Sequence, residues 1–247
     1  PKWWLWLFYI TVAFGLLYLV LYPGLGTVKG IKGWTQAGQW EQENAAAEAK
    51  VAEYLAPFAS MSVPELATNP QAMATAHNLF QNNCAQCHGS DGRGAKGFPN
   101  LTDSDWLWGG SPEIIEQSVL GGRGDATPGV YRMPAHQDIL SAEQVDEVVE
   151  YTQSLSGRNV DRAKAEKGKA TFDTICAACH GPDGKGLQPL GAPNLTDNIW
   201  LYGGTAAAIK ETIVKGRSGY MPAQEPLLGK DKARILAGYV YSLSQKK

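Results

Sequence analysis

Cysteine is scarce in this chain of 247 residues: there are four, alongside four histidines and four methionines. All four cysteines fall in two C-x-x-C pairs, so no thiol is left over for a disulfide framework. Basic excess is also missing. The 22 Lys and Arg are balanced by 24 Asp and Glu, which gives no support to nucleic-acid binding. The sequence holds no Ser/His/Asp arrangement and no carboxylate pair with an evident acid–base role. G-x-D-G-x-G occurs twice (Gly89 to Gly94, Gly181 to Gly186), but no strand precedes it, and a strand is what a nucleotide-binding loop requires. Long apolar runs are few as well; a single one, Trp3 to Tyr22, goes 20 residues without a charge.

That run is long enough to cross a bilayer as a helix of about 30 Å. Trp3, Trp4 and Trp6 at one end and Tyr18 and Tyr22 at the other match interfacial aromatic belts, and Pro23-Gly24 stops the helix. A cleaved signal peptide would have a shorter apolar core followed by a small-residue cleavage site, which is not the pattern here. The expectation is a retained anchor. Lys2 before it and Lys29 and Lys32 after it leave the orientation undecided by charge.

The two C-x-x-C pairs are each followed at once by histidine, as Cys84-Ala85-Gln86-Cys87-His88 and Cys176-Ala177-Ala178-Cys179-His180. C-x-x-C-H is the attachment signature of c-type haem. Two thiols at that spacing add across the two porphyrin vinyl groups, and the next histidine is held beneath the iron. A zinc site would want a further C-x-x-C or a spaced histidine pair close by. Instead, Met133-Pro134 follows His88 by 45 residues and Met221-Pro222 follows His180 by 41. That is the layout of a haem c domain with histidine and methionine as axial ligands. The expected cofactors are therefore two covalently bound haem c groups. Their ligands are Cys84, Cys87, His88 and Met133 in one domain and Cys176, Cys179, His180 and Met221 in the other. A soft thioether favours ferrous iron and leaves no free coordination position, which suits an electron carrier. Attachment of haem c outside the cytoplasm places everything after residue 23 in the periplasm.

From residue 73 the sequence repeats itself. Asn100-Leu101-Thr102-Asp103 returns as Asn194-Leu195-Thr196-Asp197, Trp106 as Trp200, Gly122-Arg123 as Gly216-Arg217, and Met133-Pro134-Ala135 as Met221-Pro222-Ala223. Tyr151-x-x-Ser154-Leu155-Ser156 returns as Tyr239-x-x-Ser242-Leu243-Ser244. The first copy has the longer loop before its methionine, Gly124 to Arg132. The fold class expected is mainly α, with these limits: a transmembrane anchor over 1–26, a connector over 27–72, and tandem cytochrome c-like domains over 73–157 and 158–247. Within the connector, Glu41 to Ala56 reads as a polar helix, either a solvated spacer or a docking helix. His77 and His136 stand as competitors for the place of Met133, and Arg123 and Arg217 either pair with haem propionates or are solvated. Trp106 and Trp200 read as pocket packing.

Taken together, the aromatic anchor running into Leu21-Tyr22-Pro23-Gly24-Leu25-Gly26, the G-W-T-Q that follows and the two His/Met haem domains ending in Y-V-Y-S-L-S resemble a known family. It is the dihaem subunit, CcoP or FixP, of cbb3-type cytochrome c oxidases. The resemblance covers essentially the whole chain. It implies a subunit of the bacterial inner membrane that takes electrons from a soluble or membrane-bound cytochrome c donor. It would pass them through its two haems to a monohaem cytochrome c subunit, and so to a catalytic haem-copper subunit that reduces oxygen with proton pumping. On that reading this chain has no oxygen-reducing site of its own. Because the sequence opens on Pro1, further residues are expected upstream, and some members carry an additional transmembrane helix there. A tethered dihaem carrier with no obligate complex is the alternative, and a dihaem peroxidase would require a vacant axial position.

Overall fold

Residues 1–24, 26, 29–124 and 133–245 are described by a computed structural model; Leu25 of the anchor motif and the loop over 125–132 lie outside the described residues. The chain divides into two units, 1–57 and 58–247.

In the first unit, α1 (Lys2–Leu21) is apolar on every side and buries none of its residues, as a bilayer span does. Its last carbonyls are capped by the chain itself: the N–H groups of Ile31 and Lys32 donate to Val20 and Leu21 at 3.0 Å. Gly30 permits this return, since its φ is +66° and a Cβ there would lie 2.7 Å from the Leu21 carbonyl oxygen. Trp34 then packs edge-on against Tyr22 at 5.9 Å and donates from Nε1 to Gln39. Thr35 caps α2 (Gln36–Leu55), so this helix starts earlier than the Glu41 expected from composition. All of α2 but Leu55 lacks a buried face, and Gln39–Glu43 and Asn44–Glu48 pairs at 2.8 Å brace its exposed side.

The second unit is helical, and among the described residues its only extended pairings are isolated bridges. It contains α3 (Val63–Thr68), α4 (Pro70–Asn83), α5 (Ala85–His88), α6 (Pro112–Gly121), α7 (Ala142–Leu155), α8 (Arg162–Thr171), α9 (Ala177–His180), α10 (Ala206–Lys215), α11 (Glu225–Leu228) and α12 (Lys230–Gln245). Sequence caps set most of the starts: Ser62 and Ser141 form capping boxes with Glu65 and Gln144, and Asn69, Ser111, Asp161 and Thr205 each accept from the first turn. A π-helical turn, Phe172–Cys176, leads from α8 into α9; the first copy runs straight from α4 through Cys84.

Among the described residues two cores stand out, and they do not follow the order of the repeats. The first lobe, which carries Cys84 to His88, gathers Val63, Phe80, Ile115 and Val119 around Ala233, Leu236, Ala237 and Val240 of α12. The second, which carries Cys176 to His180, gathers Ile209 and Ile213 of α10 around Leu140 and Val145, Val148 and Val149 of α7. Each closing helix thus completes the other copy's lobe. Tyr239 packs at a tilt against Phe80 at 5.2 Å, and Tyr151 packs edge-on against Phe172 at 5.1 Å. The sequential limits 73–157 and 158–247 trace the sequence repeat, whereas the packing sorts 133–217 into one lobe and the flanking segments into the other. The reason lies in the turn Ser156–Asp161. So short a connection makes α7 and α8 antiparallel neighbours, so α7 stays with the helix that follows it. Gly168 lets the two backbones touch: a Cβ there would sit 2.0 Å from the Glu147 carbonyl oxygen.

Candidate functional site

Both C-x-x-C-H segments are single helical turns. The Cys84 carbonyl accepts from the N–H groups of Cys87 and His88, and the first and fourth residues of the turn therefore share a face. Cys84 and Cys176 are half-buried, and burial, with the neighbouring cysteine second, pushes both thiols up to about 11. Cys87 and Cys179 are exposed.

The loop after each motif orients its histidine. His88 Nδ1 lies 2.9 Å from the Pro99 carbonyl oxygen, and His180 Nδ1 lies 3.2 Å from that of Pro193. Since a carbonyl only accepts, Nδ1 carries the proton and Nε2 keeps its lone pair for a metal. Burial, above all, lowers the pKa of His180 and so favours the neutral, ligating form; the Pro193 contact opposes this and nearby His136 adds to it. The P-N-L-T-D motif builds the loop. Asn100 Oδ1 accepts from the N–H and hydroxyl of Thr102, and Asn194 does the same for Thr196. Gly94 and Gly186 must lack side chains, because the proline-bearing segment crosses them 2.3 and 2.4 Å from where a Cβ would stand. The glycine-rich repeats thus serve this crossing.

The expected methionines take crossed places. Met221 packs on the first core, with Cys84 and Trp106, and Met133 packs on the second, with Cys176 and Trp200. Backbone bridges hold them there: Arg123 exchanges two hydrogen bonds with Met221, at 2.9 and 2.8 Å, and the Arg217 N–H donates to the Met133 carbonyl at 2.9 Å. The two motif sets are therefore brought together as Cys84, Cys87 and His88 with Met221, and Cys176, Cys179 and His180 with Met133. Each methionine thus lies on the core that carries the other repeat's motif, whereas the sequence order places it after its own. The cause is the same α7–α8 turn that exchanges the closing helices.

His77 is exposed on α4 and its Nδ1 meets the Tyr239 hydroxyl at 3.0 Å, so it ties α4 to α12. His136 belongs to the second lobe, where its N–H donates to Ile213. Among the described residues, three buried polar atoms lack a hydrogen-bond partner: His136 Nδ1, Trp200 Nε1 and Arg217 Nη2. All three lie in the second lobe, and two of them are obligate donors. Buried donors of this kind call for an acceptor from outside the protein, and a haem propionate is one. The residues present fit a haem c group. Arg217 Nε is anchored on Thr212 and Arg123 Nε on Ser118, which aims each guanidinium. Sequence reasoning missed Arg158, whose guanidinium lies 5.4 Å from the Trp200 ring, and the pair Trp108 and Tyr202. The signal for that pair was present, since they occupy equivalent repeat positions two residues after Trp106 and Trp200.

Each repeat, and the N-terminal helix, matches a known family. Residues 73–156 match the cytochrome c family, residues 163–240 match subunit III of cbb3-type cytochrome c oxidase, and residues 1–29 match the N-terminal domain of FixP of the cbb3 oxidase. A cbb3-type cytochrome c oxidase subunit CcoP from Rubrivivax gelatinosus is 47% identical over 99% of this chain and 79% of its own length. Subunits FixP from Azorhizobium caulinodans and Bradyrhizobium diazoefficiens are 41% and 40% identical, each over 98% of this chain and 87% and 88% of their own lengths.

Proposed function

This chain belongs to the CcoP/FixP family of cbb3-type cytochrome c oxidase subunits, and we propose that within the oxidase it is the electron-entry relay. It is a membrane-anchored dihaem electron-transfer subunit with two covalently bound haem c groups. In our reading one haem is held by Cys84, Cys87, His88 and Met221, and the other by Cys176, Cys179, His180 and Met133. Bound haem c supplies a one-electron couple whose potential is raised by a thioether ligand. The chain's own residues do the rest. Pro99 and Pro193 fix the histidine tautomers, Trp200 and Arg217 offer donors to the propionates, and the two cores exclude water from the pockets.

On this reading α1 crosses the inner membrane and both haem lobes face the periplasm. Electrons arrive from a cytochrome c donor and leave through a monohaem cytochrome c subunit toward the haem-copper subunit. Oxygen is reduced there, and no group in this chain takes part in that chemistry. The observation that carries the proposal is the twofold assembly of a histidine oriented by a proline carbonyl with a methionine on the same core.

The test isolates one haem at a time within the purified oxidase. In a Cys84→Ala/Cys87→Ala background, which keeps the second haem only, Met133→Ala should convert it to a high-spin, carbon monoxide-binding form. Met221→Ala should leave it low-spin. Co-purification of haem b and copper with the parent chain, and loss of cytochrome c-driven oxygen uptake in the variants, checks the relay role. The reverse pattern of spin states would sink the ligand assignment, and a stable dihaem chain free of haem b and copper would sink the oxidase relay.

A further inference from the structure

The two lobes meet along a seam built from two copies of one loop. Gly97 donates its N–H to the Leu201 carbonyl at 2.9 Å, and Gln188 donates from Nε2 to the Trp106 carbonyl at 3.1 Å. The repeat equivalents Trp108 and Tyr202 each lie on a glycine of the opposite lobe. A Cβ on Gly191 would come 2.4 Å from Trp108 Cζ2, and one on Gly97 would come 3.5 Å from Tyr202 Cε1. Gly191 is left-handed, with φ +64°, so its lack of a side chain both allows the turn and seats the indole. Each ring also lies under an arginine of its own lobe. The Arg123 guanidinium is 5.1 Å from the Trp108 ring centre and that of Arg217 is 4.5 Å from Tyr202. These are the same arginines whose backbones hold Met221 and Met133. Each contact chain therefore runs from a methionine segment through arginine and aromatic ring to the backbone of the other lobe.

We infer that Trp108 and Tyr202 are positioning residues for electron exchange between the two lobes, an inference that rests on the ligand assignment above. Covalently linked domains move relative to one another unless an interface restrains them, and exchange between redox centres depends on a short, fixed separation. Two aromatic rings, each with only two side-chain torsions, restrain the seam at small entropic cost. The exchange itself moves one electron: one lobe is oxidised as the other is reduced, with no bond made and no proton moved. The rings are not stations on that route. A guanidinium over the ring face opposes positive charge on the ring, which an oxidised indole or phenol would have to bear.

The test uses the full chain in the assembled oxidase, with Trp108→Ala/Tyr202→Ala and, separately, Trp108→Phe/Tyr202→Phe. Three quantities are measured: transfer between the haems after flash photoreduction, the reduction potential of each haem, and amide hydrogen exchange over 95–98. In the alanine pair transfer should slow by about tenfold or more, the scale on which small misplacements of reacting centres act. Exchange at Gly97 should rise, both potentials should stay put, and the phenylalanine pair should restore the parent rate. Unchanged transfer and unchanged Gly97 protection in the alanine pair would overturn the inference. A phenylalanine pair as slow as the alanine pair would also overturn it, by making the rings redox stations. Loss of low-spin spectra in the alanine pair alone would overturn it too, since the rings would then be building the pockets. The ligand assignment fails independently, in the methionine variants.

Discussion

Replacing Phe80 and Tyr239 singly and together, beside Phe80 and Tyr151, tests which closing helix completes which lobe. Phe80 is fully buried, and its ring centre lies 5.2 Å from Tyr239 at an interplanar angle of 50°. Aromatic pairs in this range are worth about 0.5–1.5 kcal/mol beyond the area they bury. Changing either ring to leucine keeps an apolar side chain of similar volume, so each single variant should cost about 1–2 kcal/mol without opening a large cavity. The coupling term of the Phe80→Leu/Tyr239→Leu cycle should then be about 1 kcal/mol, whereas residues without contact add to within about 0.3–0.5 kcal/mol. Tyr239 also holds His77 through its hydroxyl, so a Tyr239→Phe variant is needed to separate that bond, worth about 1 kcal/mol, from the ring contact. The assay is urea unfolding of the haem-loaded chain in detergent, followed by haem absorbance. The matching cycle in the second lobe is Phe172→Leu with Tyr151→Leu, whose rings are 5.1 Å apart. Coupling between Phe80 and Tyr151, with none between Phe80 and Tyr239, would refute the exchanged packing and return each closing helix to its own repeat.

Two further outcomes follow from the same packing. Gly168→Ala drives a methyl group into the Glu147 backbone of α7, where no flexible side chain can yield, and should destabilise the second lobe by about 1–3 kcal/mol or more. The check is an earlier thermal loss of its haem spectrum than of the first. At the seam, burial raises the pKa values of Asp103 and Asp105, and the charge of Asp197 in the opposite lobe raises both further. Carboxyl groups raised in the folded state contribute stability that is full below their unfolded values and is lost as pH rises through the raised folded values. Asp197→Asn keeps the acceptor for the Ile199 N–H while removing the charge. It should therefore stabilise the unit at neutral pH, with the advantage over the parent shrinking as pH falls through the carboxylate range. Denaturant midpoints measured across that range check this, and an advantage that grows in acid would contradict the sign.

Much of this protein is determined by short-range chemistry and is legible in the sequence. C-x-x-C-H sets two thiols and a histidine on one helical turn whatever surrounds it. A 20-residue uncharged run specifies a spanning helix, and Ser, Thr, Asn and Asp caps mark where most of the helices in the second unit begin. P-N-L-T-D encodes its own turn through side chains that accept from the next backbone groups. The pairing of the methionines was not legible, and symmetry is the reason. Phe80 and Phe172, Tyr239 and Tyr151, and Trp106 and Trp200 are equivalent, so either closing helix presents the same face to either lobe. A pattern that reads alike in both pairings cannot choose between them. The choice falls to connectivity in three dimensions: the turn Ser156–Asp161 makes α7 a neighbour of α8, Gly168 lets their backbones close, and α12 is left to complete the lobe of Cys84. The seam of Trp108 and Tyr202 arises in the same way, because a ring seated on a glycine of another lobe is a contact between residues far apart in sequence, and only the tertiary fold brings them together.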